Sequence, residues 1–101
     1  MKRAEAIQLI GEHEAELRGL GVRSLSIFGS VARDEAGPGS DVDLLVEFQP
    51  LESYALVDAY FGLLDELRSL LGEVDLVMVG AVKNPYIARA IEREKQLLYA
   101  A

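Results

Sequence analysis

The chain has 101 residues, half of them hydrophobic, no cysteine, and a net charge of −7. That length suits one domain, residues 1–101, with one core and no room for a second. The lack of cysteine excludes disulfides and thiolate chemistry and fits a cytoplasmic protein, and the acidity argues against general binding to a nucleic-acid backbone, which needs a basic face.

The charge is uneven. Residues 1–82 carry six bases and fifteen acids, whereas residues 83–101 carry four bases and two acids. This reads either as an ordinary solvated surface, or as an acidic protein that docks on a basic partner while its last helix offers cations to an anionic ligand. Met1-Lys2-Arg3 is not followed by an apolar run, so no signal peptide is expected. The apolar stretch Tyr54 to Leu71 is interrupted by Asp58, Asp65, Glu66 and Arg68 and cannot comfortably span a bilayer.

In chain order, Lys2 to Leu17 reads as one helix with Ile7, Ile10 and Leu17 toward one face, ended by Gly19-Leu20-Gly21. His13 lies in an acidic stretch without metal-ligating partners and reads as a surface residue. Arg23 to Phe28 is a strand with Leu25 and Ile27 on one side. Ser30 to Ala36 is a helix of about two turns, stopped by Gly37-Pro38-Gly39. Asp41 to Phe48 is a second strand, broken by Pro50. Ser53 caps a long helix from Tyr54 to Leu71, which Gly72 closes. Val74 to Val79 is a third strand. Asn84 caps a last helix with Pro85 in its first turn, and Gln96 to Tyr99 forms a short final strand. The order predicts an α/β (α+β) domain, a small sheet with helices packed on it. The spacing leaves the first two strands free to run parallel or antiparallel.

Two elements carry chemistry. Phe28-Gly29-Ser30-Val31-Ala32-Arg33 is a Gly-Ser turn opening a short helix, where backbone N–H groups can approach a phosphate closely. The bland alternative is a plain strand-to-helix turn capped by Ser30. Ser40-Asp41-Val42-Asp43-Leu44-Leu45-Val46 sets two aspartates one residue apart on an apolar strand. They project from one face about 6.6 Å apart, with Val42, Leu44 and Val46 on the other. Carboxylates that close repel, which raises a pKa unless a cation sits between them. Asp75, in Val74-Asp75-Leu76-Val77, is either an exposed acid on an edge strand or a third carboxylate for the same site. Three oxygen ligands suit a hard divalent cation. Arg33 can reach a phosphate or pair with Asp34 or Glu35. Ser40 can bond a ligand or cap its loop. Lys83, Arg89 and Arg93 read first as solvated cations. No Gly-x-x-x-x-Gly-Lys loop is present, which excludes P-loop chemistry.

Gly29-Ser30, ten residues, then Asp41-Val42-Asp43, with Asp75 on a later strand, resembles the nucleotidyltransferase superfamily that includes DNA polymerase beta. The closer resemblance is to the small stand-alone members, the minimal nucleotidyltransferases (MNT), and it runs from Leu17 to Tyr99. Where those members usually have Gly-Ser-x-Ala-Arg-Gly, this chain has Asp34 after Arg33. The resemblance implies a mixed sheet of the nucleotidyltransferase fold. It implies catalysis with Mg²⁺, two ions with Mn²⁺ as a substitute, held by Asp41, Asp43 and Asp75. It also implies a nucleotide triphosphate held by Gly29, Ser30, Arg33 and Ser40.

The reaction implied is transfer of a nucleoside monophosphate, AMP from ATP, to a hydroxyl. Small members resemble antitoxins paired with HEPN-domain toxins, and some attach AMP to a toxin tyrosine. With no room for an acceptor domain, the acceptor is expected on another protein. Homo-oligomerisation is left open. The rival reading is a nucleotide-binding or inhibitory subunit with little chemistry of its own, and a free enzyme acting on a small molecule ranks third.

Overall fold

A computed structural model describes all of residues 1–101. Helices α1 (Arg3–Gly11) and α2 (Glu14–Gly19) precede strand β1 (Val22–Phe28), the single turn α3 (Gly29–Ala32) and strand β2 (Val42–Phe48). Helix α4 (Ser53–Leu71), strand β3 (Val74–Met78), helix α5 (Pro85–Glu94) and strand β4 (Gln96–Ala100) complete the chain. The four strands form one sheet in the order β3-β2-β1-β4. Strand β1 runs antiparallel to β2 and β4, and β2 runs parallel to β3, so the sheet is mixed.

Alternation along the strands divides the sheet into two faces. Leu25 and Ile27 of β1, Val42, Leu44 and Val46 of β2, and Leu76 of β3 enter the main core. Ala6 and Ile10 of α1, Leu17 of α2, and Leu63, Leu67 and Leu71 of α4 cover them. The α4 residues recur every four positions, so one stripe is buried while Tyr54, Val57 and Phe61 stay exposed. Tyr60 fastens α4 to β3 by donating its hydroxyl to the Leu76 carbonyl at 2.7 Å. On the other face, Leu45 and Ile91 are buried outside the main cluster and line one hollow, which places α5 over that side.

Three expected elements differ. The first helix is two helices: His13 leaves helical geometry (φ −124, ψ 25) two residues after Gly11, a weak helix former. His13 is half-buried rather than on the surface, with ring Nδ1 2.7 Å from the Leu9 carbonyl. The helix expected over 30–36 is a single turn, ended by Asp34 at φ +56. Ser53 is the first helical residue of α4 and not its cap; Glu52 holds that position without a side-chain bond. The Asn84 cap is as expected, accepting from the Tyr86 and Ile87 amides at 2.9 and 3.3 Å.

Asp34 adopts the left-handed conformation in which glycine is easiest and aspartate is tolerated. Its carboxylate turns to the start of α1, accepting from the Arg3 amide at 3.1 Å and pairing with the Arg3 guanidinium at 3.4 Å. Arg3 also donates to the Ala32 carbonyl at 3.2 Å. The acid thus ties the two ends of this corner and sits at a helix N-terminus, where negative charge is favoured.

One polar atom in the core has no partner, the Tyr99 hydroxyl. An unpaired buried hydroxyl costs roughly 1–3 kcal/mol. Tyr99→Phe removes it and keeps the ring, so chemical denaturation is expected to give equal or higher stability, by up to about 1 kcal/mol. A loss of stability would show that the hydroxyl is satisfied in solution. No helix is long and apolar enough to cross a membrane.

Candidate active site

The site is built by register. Asp43 on β2 lies opposite Phe28 of β1 and opposite Asp75 of β3. Phe28 is the last residue of its strand, so the Gly29 turn begins beside Asp43 on one flank while Asp75 stands on the other. Asp43 is half-buried on the face away from the core, and Asp75 is exposed on the edge strand. Asp41 lies just ahead of β2, which starts at Val42, and is also exposed. Ser40 is exposed in the preceding loop, with its amide bonded to the Gly37 carbonyl at 3.2 Å.

Gly29 has φ +73, and a Cβ built there would fall on the Asp43 carboxylate. Only a residue without a side chain lets the turn and the acid come this close. Partial burial pushes the Asp43 carboxyl above its ordinary range, and the negative Asp75 and Asp41 push it further. The Arg33 guanidinium opposes this. The acids present only oxygen donors, which suits a hard divalent cation, and such a cation would relieve the repulsion concentrated on Asp43. No group of three such side chains is set closely enough to enclose an ion by itself. The phosphate oxygens of a nucleotide would have to supply the remaining positions.

The Gly29-Ser30 turn differs from the sequence reading in detail. With four residues, α3 has little dipole to offer, and Ser30 is inside it, since Phe28 occupies the capping position. The Gly29 amide is not free: it donates to Glu94 Oε1 at 3.0 Å. Arg33 pairs with Glu35 at 3.0 Å and Glu94 at 2.8 Å, and not with the adjacent Asp34. Those bonds, Glu35 first and then Glu94, raise the Arg33 pKa further.

Glu94 is the site residue that sequence reasoning missed. The sequence points to cations on the last helix, yet the side chain of that helix that reaches the site is an acid. Lys83 bonds instead to the Gly80 carbonyl at 2.9 Å, and Arg89 and Arg93 are exposed. Flanked by Arg93 and Lys95, Glu94 reads as one more solvated charge. The usable signal is its position three residues after the buried Ile91, on the inward face of α5.

A mixed four-stranded sheet with a Gly-Ser turn beside an Asp-x-Asp strand is the architecture of nucleotidyltransferases. The chain belongs to the nucleotidyltransferase domain family, whose model matches residues 10–98. It is 40% identical over 92 residues to Protein adenylyltransferase MntA of Thermococcus cleftensis, a match covering 89% of each chain. Among solved structures it is similar to a toxin–antitoxin complex with AMP-PNP, with a TM-score of 0.60 at 19% identity over 100% of this chain and 75% of the other. It is also similar to a chain in the structure of a tri-AMPylated Shewanella oneidensis HEPN toxin in complex with an MNT antitoxin. That match has a TM-score of 0.50 at 17% identity, over 91% of this chain and 73% of the other.

Proposed function

We propose that this nucleotidyltransferase moves AMP from ATP onto a hydroxyl of a partner protein, as the antitoxin of a pair whose toxin is a HEPN-domain protein. The observation that carries the reading is the register that sets Asp43 between the Gly29 turn and Asp75. The likeness to a protein adenylyltransferase supports AMP as the group moved and a protein as the acceptor. The likeness to the HEPN–MNT complex supports the kind of partner.

Asp41, Asp43 and Asp75 would hold Mg²⁺, which when bound supplies positive charge against the triphosphate and lowers the pKa of the acceptor hydroxyl. The chain's own part is placement. On this reading Ser30, Arg33 and Ser40 contact the phosphates, and the bare Gly29 lets their turn lie against Asp43. Asp41 and Asp75 are solvent-exposed, so the site lies at the surface, within reach of a hydroxyl carried on another macromolecule. Exposed Tyr54, Val57 and Phe61 run along α4 beside Asp58 and Asp65, an apolar face with an acidic rim that suits a partner bearing apolar and basic side chains.

Mass spectrometry of the co-expressed partner is expected to find one or more added AMP groups. These are expected to be absent with Asp41→Ala and absent in vitro when EDTA removes the metal, with Mn²⁺ restoring them. A partner that never carries AMP, yet is neutralised equally well by Asp41→Ala, would mean that the chain inhibits by binding alone.

A further inference from the structure

The Glu94 carboxylate makes two bonds that cross the fold. Oε1 accepts from the Gly29 amide at 3.0 Å, and Oε2 pairs with Arg33 Nη1 at 2.8 Å. One side chain from α5 therefore holds both the turn and the cation that the sequence assigns to the triphosphate. We propose that Glu94 is a positioning residue for nucleotide binding, fixing the Gly29-Ser30 turn and the Arg33 guanidinium in the arrangement that receives the phosphates. The inference rests on the reading that this turn and Arg33 take the triphosphate.

Two features favour a fixed support over a carboxylate that merely fills the phosphate position until ATP displaces it. Glu94 ends α5, and two residues later the chain is already paired in the sheet, with Gln96 opposite Ile27. The Lys95 amide is bonded to the Ile91 carbonyl at 2.8 Å. Moving the Glu94 backbone out would melt the end of the helix and the start of β4 together. The guanidinium geometry is the second feature. Arg33 Nε is bonded to Glu35 at 3.0 Å and Nη1 to Glu94. A guanidinium is a rigid plane, so fixing two of its nitrogens fixes the direction of the third, and Nη2 is the one left without a protein partner. The Gly29 turn that Glu94 holds lies against the Asp43 carboxylate, so this support reaches the acid strand.

Substitutions separate the two bonds. Glu94→Gln keeps an oxygen for the Gly29 amide but loses the charge that holds Arg33. Glu94→Asp keeps the charge but is one methylene short of spanning both partners. Glu94→Ala loses both. Isothermal titration with a non-hydrolysable ATP analogue and Mg²⁺ is expected to show affinity about tenfold weaker for Glu94→Gln and weaker still for Glu94→Ala, with partial recovery in Glu94→Asp. In the transfer assay, Glu94→Gln is expected to raise the KM for ATP with kcat within about twofold. A merely structural role would lower Tm without that split. Amide hydrogen exchange, read without nucleotide, is expected to show Gly29 protected in the wild type and in Glu94→Gln and exposed in Glu94→Ala.

Unchanged analogue affinity in a folded Glu94→Ala protein would overturn the proposal. So would tighter binding by Glu94→Gln, which would make Glu94 a competitor of the phosphates. Failure of the adenylyltransferase reading is told apart by the wild-type arm: a wild-type chain that binds the analogue but leaves the partner unmodified refutes that reading alone. The role of Glu94 is still decided there by affinity and exchange.

Discussion

Asp43→Asn is expected to make the protein more stable and inactive. The amide has nearly the shape of the carboxylate but none of the charge that partial burial, Asp75 and Asp41 disfavour. At a group this open to solvent the repulsion is screened, and its relief is worth roughly 0.5–1 kcal/mol, so Tm should rise by about 2–6 °C in a domain this small. On the proposed function, transfer of AMP should fall by about two to three orders of magnitude, because that reading puts the charge of Asp43 next to the reacting phosphates.

The stability gain should depend on pH in a defined direction. The folded-state pKa of Asp43 lies above its unfolded value, so within that window the folded protein binds more protons than the unfolded one. Stability from this group is fully present below the unfolded pKa, about 4, and is lost as pH rises through the folded value. The wild type carries the whole penalty at neutral pH. The advantage of Asp43→Asn should therefore be largest there and vanish near pH 4. Thermal melts of both proteins between pH 4 and 8 test this, and an Asn variant that melts lower at pH 7 would refute it.

Gly29→Val is expected to damage folding and nucleotide binding together. A β-branched residue is strained at φ +73, by about 1–2 kcal/mol. Its Cβ would also land on the Asp43 carboxylate, so the turn or the acid must move. We expect a loss of at least about 2 kcal/mol, a fall in Tm of roughly 10 °C or more, and no measurable ATP binding by whatever remains folded. The two causes can be separated. Gly29→Ala in an Asp43→Ala background removes the carboxylate it would strike, and should recover most of the crowding part of the loss while keeping the φ part. If Gly29→Ala proves as stable as wild type, the close approach of turn and acid is not fixed in solution.

Most of the strands are legible in the sequence because their side chains alternate: Val42, Leu44 and Val46 sort to the core and Asp43 to the other face. The same alternation makes Asp43 stand out as a candidate, because a half-buried carboxylate in an apolar strand is costly unless a positive charge meets it. What stays hidden depends on residues far apart in sequence. Nothing local says that Asp43 faces Asp75, which is a fact of β2–β3 pairing. Nothing near Asp34 says that its partner is Arg3, or that the chain turns left-handed there and cuts the expected helix to one turn. Arg33 beside Asp34 and Glu35 looks locally solved, while its other partner comes from the end of the chain. Ser53 reads as a cap because residue type is the only signal, and the cap position falls one residue earlier.

The bond between Gly29 and Glu94 spans 65 residues. It gives the protein a late assembly step. As the chain leaves the ribosome, the turn, Asp41 and Asp43 emerge early, yet Glu94 follows only with the end of α5. During synthesis Gly29 and Asp43 are therefore out well before the side chain that braces the turn. The bonds from Glu94 to Gly29 and Arg33 form last, with the closing strand that pairs onto β1.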